Sequence, residues 1–214
     1  MLRRLGLVLL LVLSSLARAD PELAQFDHDD ASANWKTAGT KEGVTLQRRN
    51  VPGSSFHEYR AVVDVPLPPA RVAEEVWRTM REGDMDSLKR REILHAAADE
   101  LIIYDQIRTP VVSDRDYTVR VRRSFDVQSG RTRFRCESAN ELGPPPAHGY
   151  VRIPIIRAGW MTAPDGKGGT TLTYYAFSEP GGSVPAFLVR GAQQDRSLAD
   201  VVRILGRLRR LSPQ

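Results

Sequence analysis

A lone cysteine, Cys136, is all the thiol this 214-residue chain carries, which excludes an intramolecular disulfide and a cysteine-based zinc cage. The four histidines (His28, His57, His95 and His148) are scattered, and no spacing puts two on one helix face or in one strand ladder. Neither a metal nor a cofactor is expected. There is no G-x-S-x-G elbow; Gly181-Gly182-Ser183 precedes a helical pattern, where a serine serves as a cap. Gly166-Lys167-Gly168-Gly169 joins two strand patterns instead of opening a helix, so it reads as a hairpin turn and not a phosphate loop. Of the acidic pairs, Asp84-x-Asp86 and Asp114-Arg115-Asp116, the second holds an arginine between its carboxylates and reads as structural ion pairing. No nucleophile stands with a base, so no enzyme is expected. Glycine (16) and proline (14) are too few for a fibrous chain, and 41% hydrophobic residues suffice for the core of one domain.

Long apolar runs are also missing. The longest, Leu5 to Leu16, falls short of the roughly 20 residues a membrane span needs. It follows Arg3 and Arg4 and precedes Ala17-Arg18-Ala19, the pattern of a signal peptide (residues 1–19) cleaved before Asp20. Cleavage removes three arginines from a formal charge of +5 and leaves +2, too little for a nucleic-acid footprint. The expectation is an exported protein, periplasmic or secreted, without a nucleic-acid partner. A single cysteine suits that oxidising compartment.

The mature chain alternates strongly. Residues 20–34 suggest a short helix around Leu23–Asp29 and then a loop that runs to residue 40. Val44–Arg48 and Tyr59–Val65 read as strands, followed by an amphipathic helix with Ala73, Val76, Trp77 and Met80 on one face. After a charged segment, Arg81–Arg91, strands are expected at 101–107, 117–125, 131–138, 150–156 and 170–177. In 131–138 the arginines 131, 133 and 135 form a solvated row, with Cys136 on the inner one as apolar filler. The last helix carries Leu198, Val201, Val202, Leu205 and Leu208 in one stripe, and Arg196, Arg203, Arg207 and Arg210 on the opposite side. The order predicts an α+β fold, a curved antiparallel sheet around a long terminal helix, with either a filled core or a pocket between them.

Three segments carry a family resemblance: Val112-Ser-Asp-Arg-Asp-Tyr-Thr-Val119, Gly149-Tyr-Val-Arg152, and Thr173-Tyr-Tyr-Ala-Phe-Ser-Glu-Pro-Gly-Gly-Ser-Val-Pro-Ala-Phe-Leu-Val189. In order and spacing they resemble START domains, the lipid-transfer domains related to steroidogenic acute regulatory protein, over residues 35–211. The resemblance implies a helix-grip fold with an internal tunnel for a lipid or similar hydrophobic ligand, gated by the terminal helix. Tyr104 and Tyr117 align with choline-cage positions of the phosphatidylcholine-transfer branch, and Ile156 stands where that branch has a third aromatic. Gln106, Val119, Tyr174, Phe187, Leu188 and Gly191 complete the implied ligand-binding set. The phosphate-holding arginine–aspartate pair of that branch has no counterpart in Gly83–Lys89, which leaves a sterol-like, hopanoid-like or other apolar ligand open. Helical projection leaves two readings of the four arginines of the last helix: a solvated face, or a stripe that docks on an anionic membrane surface as a transient partner. Two rival readings remain: a cyclase-like or lyase-like enzyme of the wider superfamily, with Gln106, Arg120 and Tyr174 facing the cavity, and an accessory protein that senses ligand without releasing it.

Overall fold

The computed structural model describes residues 34–109 and 112–211. The signal peptide and the helix expected around Leu23–Asp29 lie outside the described residues. In chain order the elements are β1 (Lys36–Lys41), β2 (Val44–Asn50), β3 (His57–Val65), α1 (Pro69–Glu82), β4 (Leu88–Ala96), β5 (Glu100–Ile107), β6 (Arg115–Asp126), β7 (Arg131–Ser138), β8 (Val151–Arg152), β9 (Ile155–Pro164), β10 (Thr170–Glu179) and α2 (Ala186–Leu211). One sheet runs β1-β2-β3-β10-β9-β7-β6-β5-β4, antiparallel throughout, with the two-residue β8 parallel to β6.

Three elements differ from the sequence reading. β1, expected as loop, has no apolar alternation because it is an edge strand, exposed except for Ala38 and Gly39. β4 lies in and after the charged segment for the same reason; it is the opposite edge, and its Lys89 and Arg90 meet solvent. The strand expected over 150–156 is broken at Pro154, which has no N–H to donate. β8 joins β6 before the break, and β9 joins β7 and β10 after it.

α1 begins as proline chemistry dictates, with Pro68 capping and Pro69 in the first turn. It ends at Gly83, whose φ of 74° places it in the left-handed region while its N–H bonds to Thr79 O. A Cβ there would collide with the Arg91 guanidinium. Gly43 also has positive φ (82°) but open space around it. Both Gly→Ala changes should therefore cost about 1 kcal/mol or more of backbone strain, and Gly83→Ala should cost measurably more in thermal unfolding. Equal losses would show that Arg91 moves aside freely.

Two apolar clusters form the interior. The larger packs α2 (Leu198, Val201, Ile204, Leu205, Leu208) and α1 (Val72, Val76) on β2, β3 and β10. The smaller gathers Leu101, Ile103, Val119 and Val121 of β5 and β6. Trp77 and Met80 of α1 touch both.

Candidate functional site

Between the sheet, α1 and α2 lies a cavity of about 620 Å³. Strand periodicity decides what faces it. From β5 come Ile103, Asp105 and Ile107; from β6 Arg115, Tyr117, Val119 and Val121; from β7 Cys136; from β9 Ile156, Ala158 and Trp160; from β10 Tyr174 and Ala176. On α2 the lining residues recur at helical spacing: Val189, Gln193, Arg196, Asp200 and Arg203.

Of the sequence-predicted set, Tyr117, Val119, Ile156 and Tyr174 meet at this cavity. Tyr104 and Gln106 do not. They occupy the alternate row of β5, so their side chains leave by the other face, and Arg120 does the same on β6. There Tyr104 donates to Asp116 Oδ2 (3.0 Å) and accepts from Gln106 Nε2 (3.0 Å). Phe187 is 75% exposed, and Leu188 and Gly191 also face solvent, because α2 turns its Val189–Arg196–Arg203 stripe inward instead.

The terminal arginines are corrected too. Arg196 and Arg203 line the cavity. Arg203 bonds Asp200 Oδ1 (3.2 Å) and Asp86 Oδ2 (2.8 Å). Arg207 reaches Glu82 Oε2 and Asp84 Oδ2, each at 2.9 Å, and lies 3.5 Å from Glu75 Oε1. α1 and the loop behind it cover this side of α2, so only Arg210 of the four is exposed.

Sequence reasoning missed the most polar feature of the cavity, the Arg91–Asp105 pair. Arg91 Nε donates to Asp105 Oδ1 (2.7 Å), its Nη2 donates to Oδ2, and its Nη1 donates to Met80 O (2.7 Å). Burial opposes the arginine's charge, yet bonding and attraction to the fully buried Asp105 outweigh it and raise its pKa. A carboxylate at period two between Ile103 and Ile107 was the available signal. Elsewhere in the cavity, burial pushes the Cys136 thiol up to about 12 and keeps it protonated. Asp200 is raised by burial, against the attraction of Arg196 and Arg203.

Of the motif residues, Asp116 and Arg152 brace the cavity from outside it, while Arg115 lines it and holds the start of the terminal helix. Asp116 accepts from Arg152 Nε (2.8 Å), Arg152 Nη2 (3.1 Å) and Ala147 N–H (2.9 Å), besides Tyr104. Arg115 donates to Pro180 O (3.2 Å) and Gly181 O (3.4 Å), which fixes the two left-handed glycines that lead into α2. The three sequence segments are thus one clasp between β6, β8 and the start of the terminal helix. The START domain family model matches residues 23–212. The chain belongs to the START domain family. A STAR-related lipid transfer protein from Xanthomonas axonopodis superposes with a TM-score of 0.70 at 26% identity, covering 82% of this chain and 98% of that one. Human StAR-related lipid transfer protein 5 superposes at 0.68 and 19% identity, over 87% of this chain and 90% of its own. Human phosphatidylcholine transfer protein is 23% identical over 171 residues, 77% of this chain and 79% of the relative. This START domain has the helix-grip fold: a curved antiparallel sheet with a long C-terminal helix.

Proposed function

We propose that this START domain binds a lipid or similarly hydrophobic molecule in the cavity and carries it through water, with α2 as the gate. The observation that carries the reading is the cavity itself, walled mainly by apolar side chains from the sheet and both helices. Each methylene kept from water is worth about 0.8 kcal/mol, so a bare lipid chain has a steep barrier to crossing that a dry cavity removes. Family membership and the names of the relatives support a carrier. So does the state of the polar groups. Asp105 is fully engaged by Arg91, Asp200 by Arg203 and Tyr174, and the Cys136 thiol is held protonated, so these groups supply no acid–base pair for catalysis. A choline cage is poorly supported, since Tyr104 contributes no ring to the cavity.

Filling the cavity tests the reading. Ala158→Trp places an indole in the space with modest overpacking cost, about 1–3 kcal/mol. It should abolish transfer of fluorescent lipid between vesicles while the protein stays folded. Organic extracts of wild-type protein from its own host should return the ligand chemically unchanged; a converted product, or undiminished transfer by the variant, would sink the carrier reading. Export is part of the same proposal: intact mass of periplasmic protein should begin at Asp20, and Met1 retained on cytosolic protein would refute it.

A further inference from the structure

The charged groups around the cavity are unequally served. Asp105 gives both oxygens to Arg91, and Asp200 gives Oδ1 to Arg203 while its Oδ2 accepts from Tyr174 (3.4 Å). Arg203 is further neutralised by Asp84 and Asp86. That leaves Arg196. It stands mid-way along the cavity stripe of α2, and among the described residues its hydrogen bond goes to Met85 Sδ (3.1 Å), a thioether and a weak acceptor. Asp105 and Asp200 act on it through space, but among the described residues no carboxylate comes within ion-pair distance of it. Arg196 is half-buried, and its remaining donors open onto the cavity, where an acceptor on a ligand can reach them.

We infer that Arg196 recognises an anionic head group, so that the ligand is an amphiphile ending in a carboxylate or phosphate, its tail lying along Ile103, Val119, Val121 and Trp160. This rests on the lipid-binding reading and narrows it. A guanidinium fork matches either anion with two parallel bonds, whereas a quaternary ammonium there would face Arg91, Arg196 and Arg203 with both nearby carboxylates already engaged. Because Arg196 belongs to α2, an anion held by it ties the terminal helix to the cavity contents. An occupied cavity is then a closed one.

The test uses the delipidated mature chain and probes that share one oleoyl tail: oleate, oleoyl lysophosphatidic acid, oleoyl lysophosphatidylcholine and oleyl alcohol. Wild-type protein should bind oleate or lysophosphatidic acid at least tenfold more tightly than oleyl alcohol, and the stronger of the two names the head group as carboxylate or phosphate. Arg196→Gln should reduce both anions to the level of the alcohol, and Arg196→Lys should retain part of the preference. Arg210→Gln, on the exposed side of the same helix, should leave the preference intact. Equal wild-type affinity for anionic and neutral probes overturns the inference and leaves lipid binding standing; so does preferred binding of the zwitterion, or an Arg196→Gln protein that keeps its fold and loses oleyl alcohol as completely as oleate. Wild-type protein that binds none of the four overturns the carrier reading itself.

Discussion

Asp116→Asn should lower the free energy of unfolding by about 3 kcal/mol, the usual result of removing one member of a buried ion pair. The side chain is fully buried and holds Arg152, Tyr104 and the Ala147 N–H together. An asparagine keeps the shape but leaves the Arg152 guanidinium without its counter-charge. The pH dependence adds a second signature. Burial pushes the Asp116 pKa up, but bonding to Arg152, Ala147 and Tyr104 outweighs it and the pKa lies below its usual value. A carboxylate depressed in the folded state stabilises the fold above its unfolded pKa, about 4, and that contribution disappears as pH falls through the folded value. The wild type should therefore lose stability on acidification below about pH 4, and the variant should lose less over the same window. Arg152→Gln should cost a similar amount, with the double variant well short of the sum. Denaturant titrations at pH 7 and in the acid range measure all three. A loss under 1 kcal/mol for Asp116→Asn would mean that the clasp is dispensable.

Replacing Arg203 and Arg207 together by Gln should free the C-terminal half of α2. Their side chains are mostly buried, and Arg207 faces Glu75, whose side chain is only 4% exposed. Without the arginines, Glu75 and Glu82 keep, among the described residues, the exposed Arg78, and Asp200 keeps the Tyr174 hydroxyl and a through-space attraction to Arg196. Amide exchange over residues 200–211 should quicken by tenfold or more, which corresponds to about 1.4 kcal/mol. Arg210→Gln, on the exposed side, should change stability by no more than about 0.5 kcal/mol. If the double variant instead kept wild-type exchange and lost only its affinity for anionic vesicles, the arginines would be a membrane-facing stripe after all. The bond from Arg203 to Asp86, which is 92% exposed, contributes little to this outcome.

How much of this was legible in the sequence depends on whether a segment has one buried face or two. β6 and β10 alternate in the sequence, and Tyr117, Val119 and Tyr174, which the family resemblance assigned to the ligand, do face the cavity. In β5 the run Leu101-Ile-Ile-Tyr104 is buried on both faces, so alternation carries no information about which row points inward. Tyr104 was assigned to the ligand by the family resemblance, and alternation offered nothing to correct it. The arginines of α2 failed differently. A helical projection put them opposite the apolar stripe, but it says nothing of what packs there, and the acidic end of α1 with Asp84 and Asp86 fills that space. Arg196 looked like surface charge because its cavity is formed by strands far away in sequence. The edge strands β1 and β4 were invisible to apolar periodicity, since an edge strand can be polar on both faces.

The place of β10 in the sheet has a consequence for how the chain acquires its structure. β3 pairs with β10, so that Ala61 lies opposite Tyr174, more than a hundred residues later. Until the last strand has been made, β3 has no partner on that side, and the β1-β2-β3 unit is joined to the other strands through no other strand pair. Closing so long a loop is slow, and non-local pairing of this kind sets the rate in sheet-rich domains. The sheet should thus be completed late, after nearly the whole chain has been synthesised, with the β2–β3 and β9–β10 hairpins formed earlier as local units. The export proposed above would make use of such a delay, because a domain that cannot close its sheet early stays open to translocation machinery.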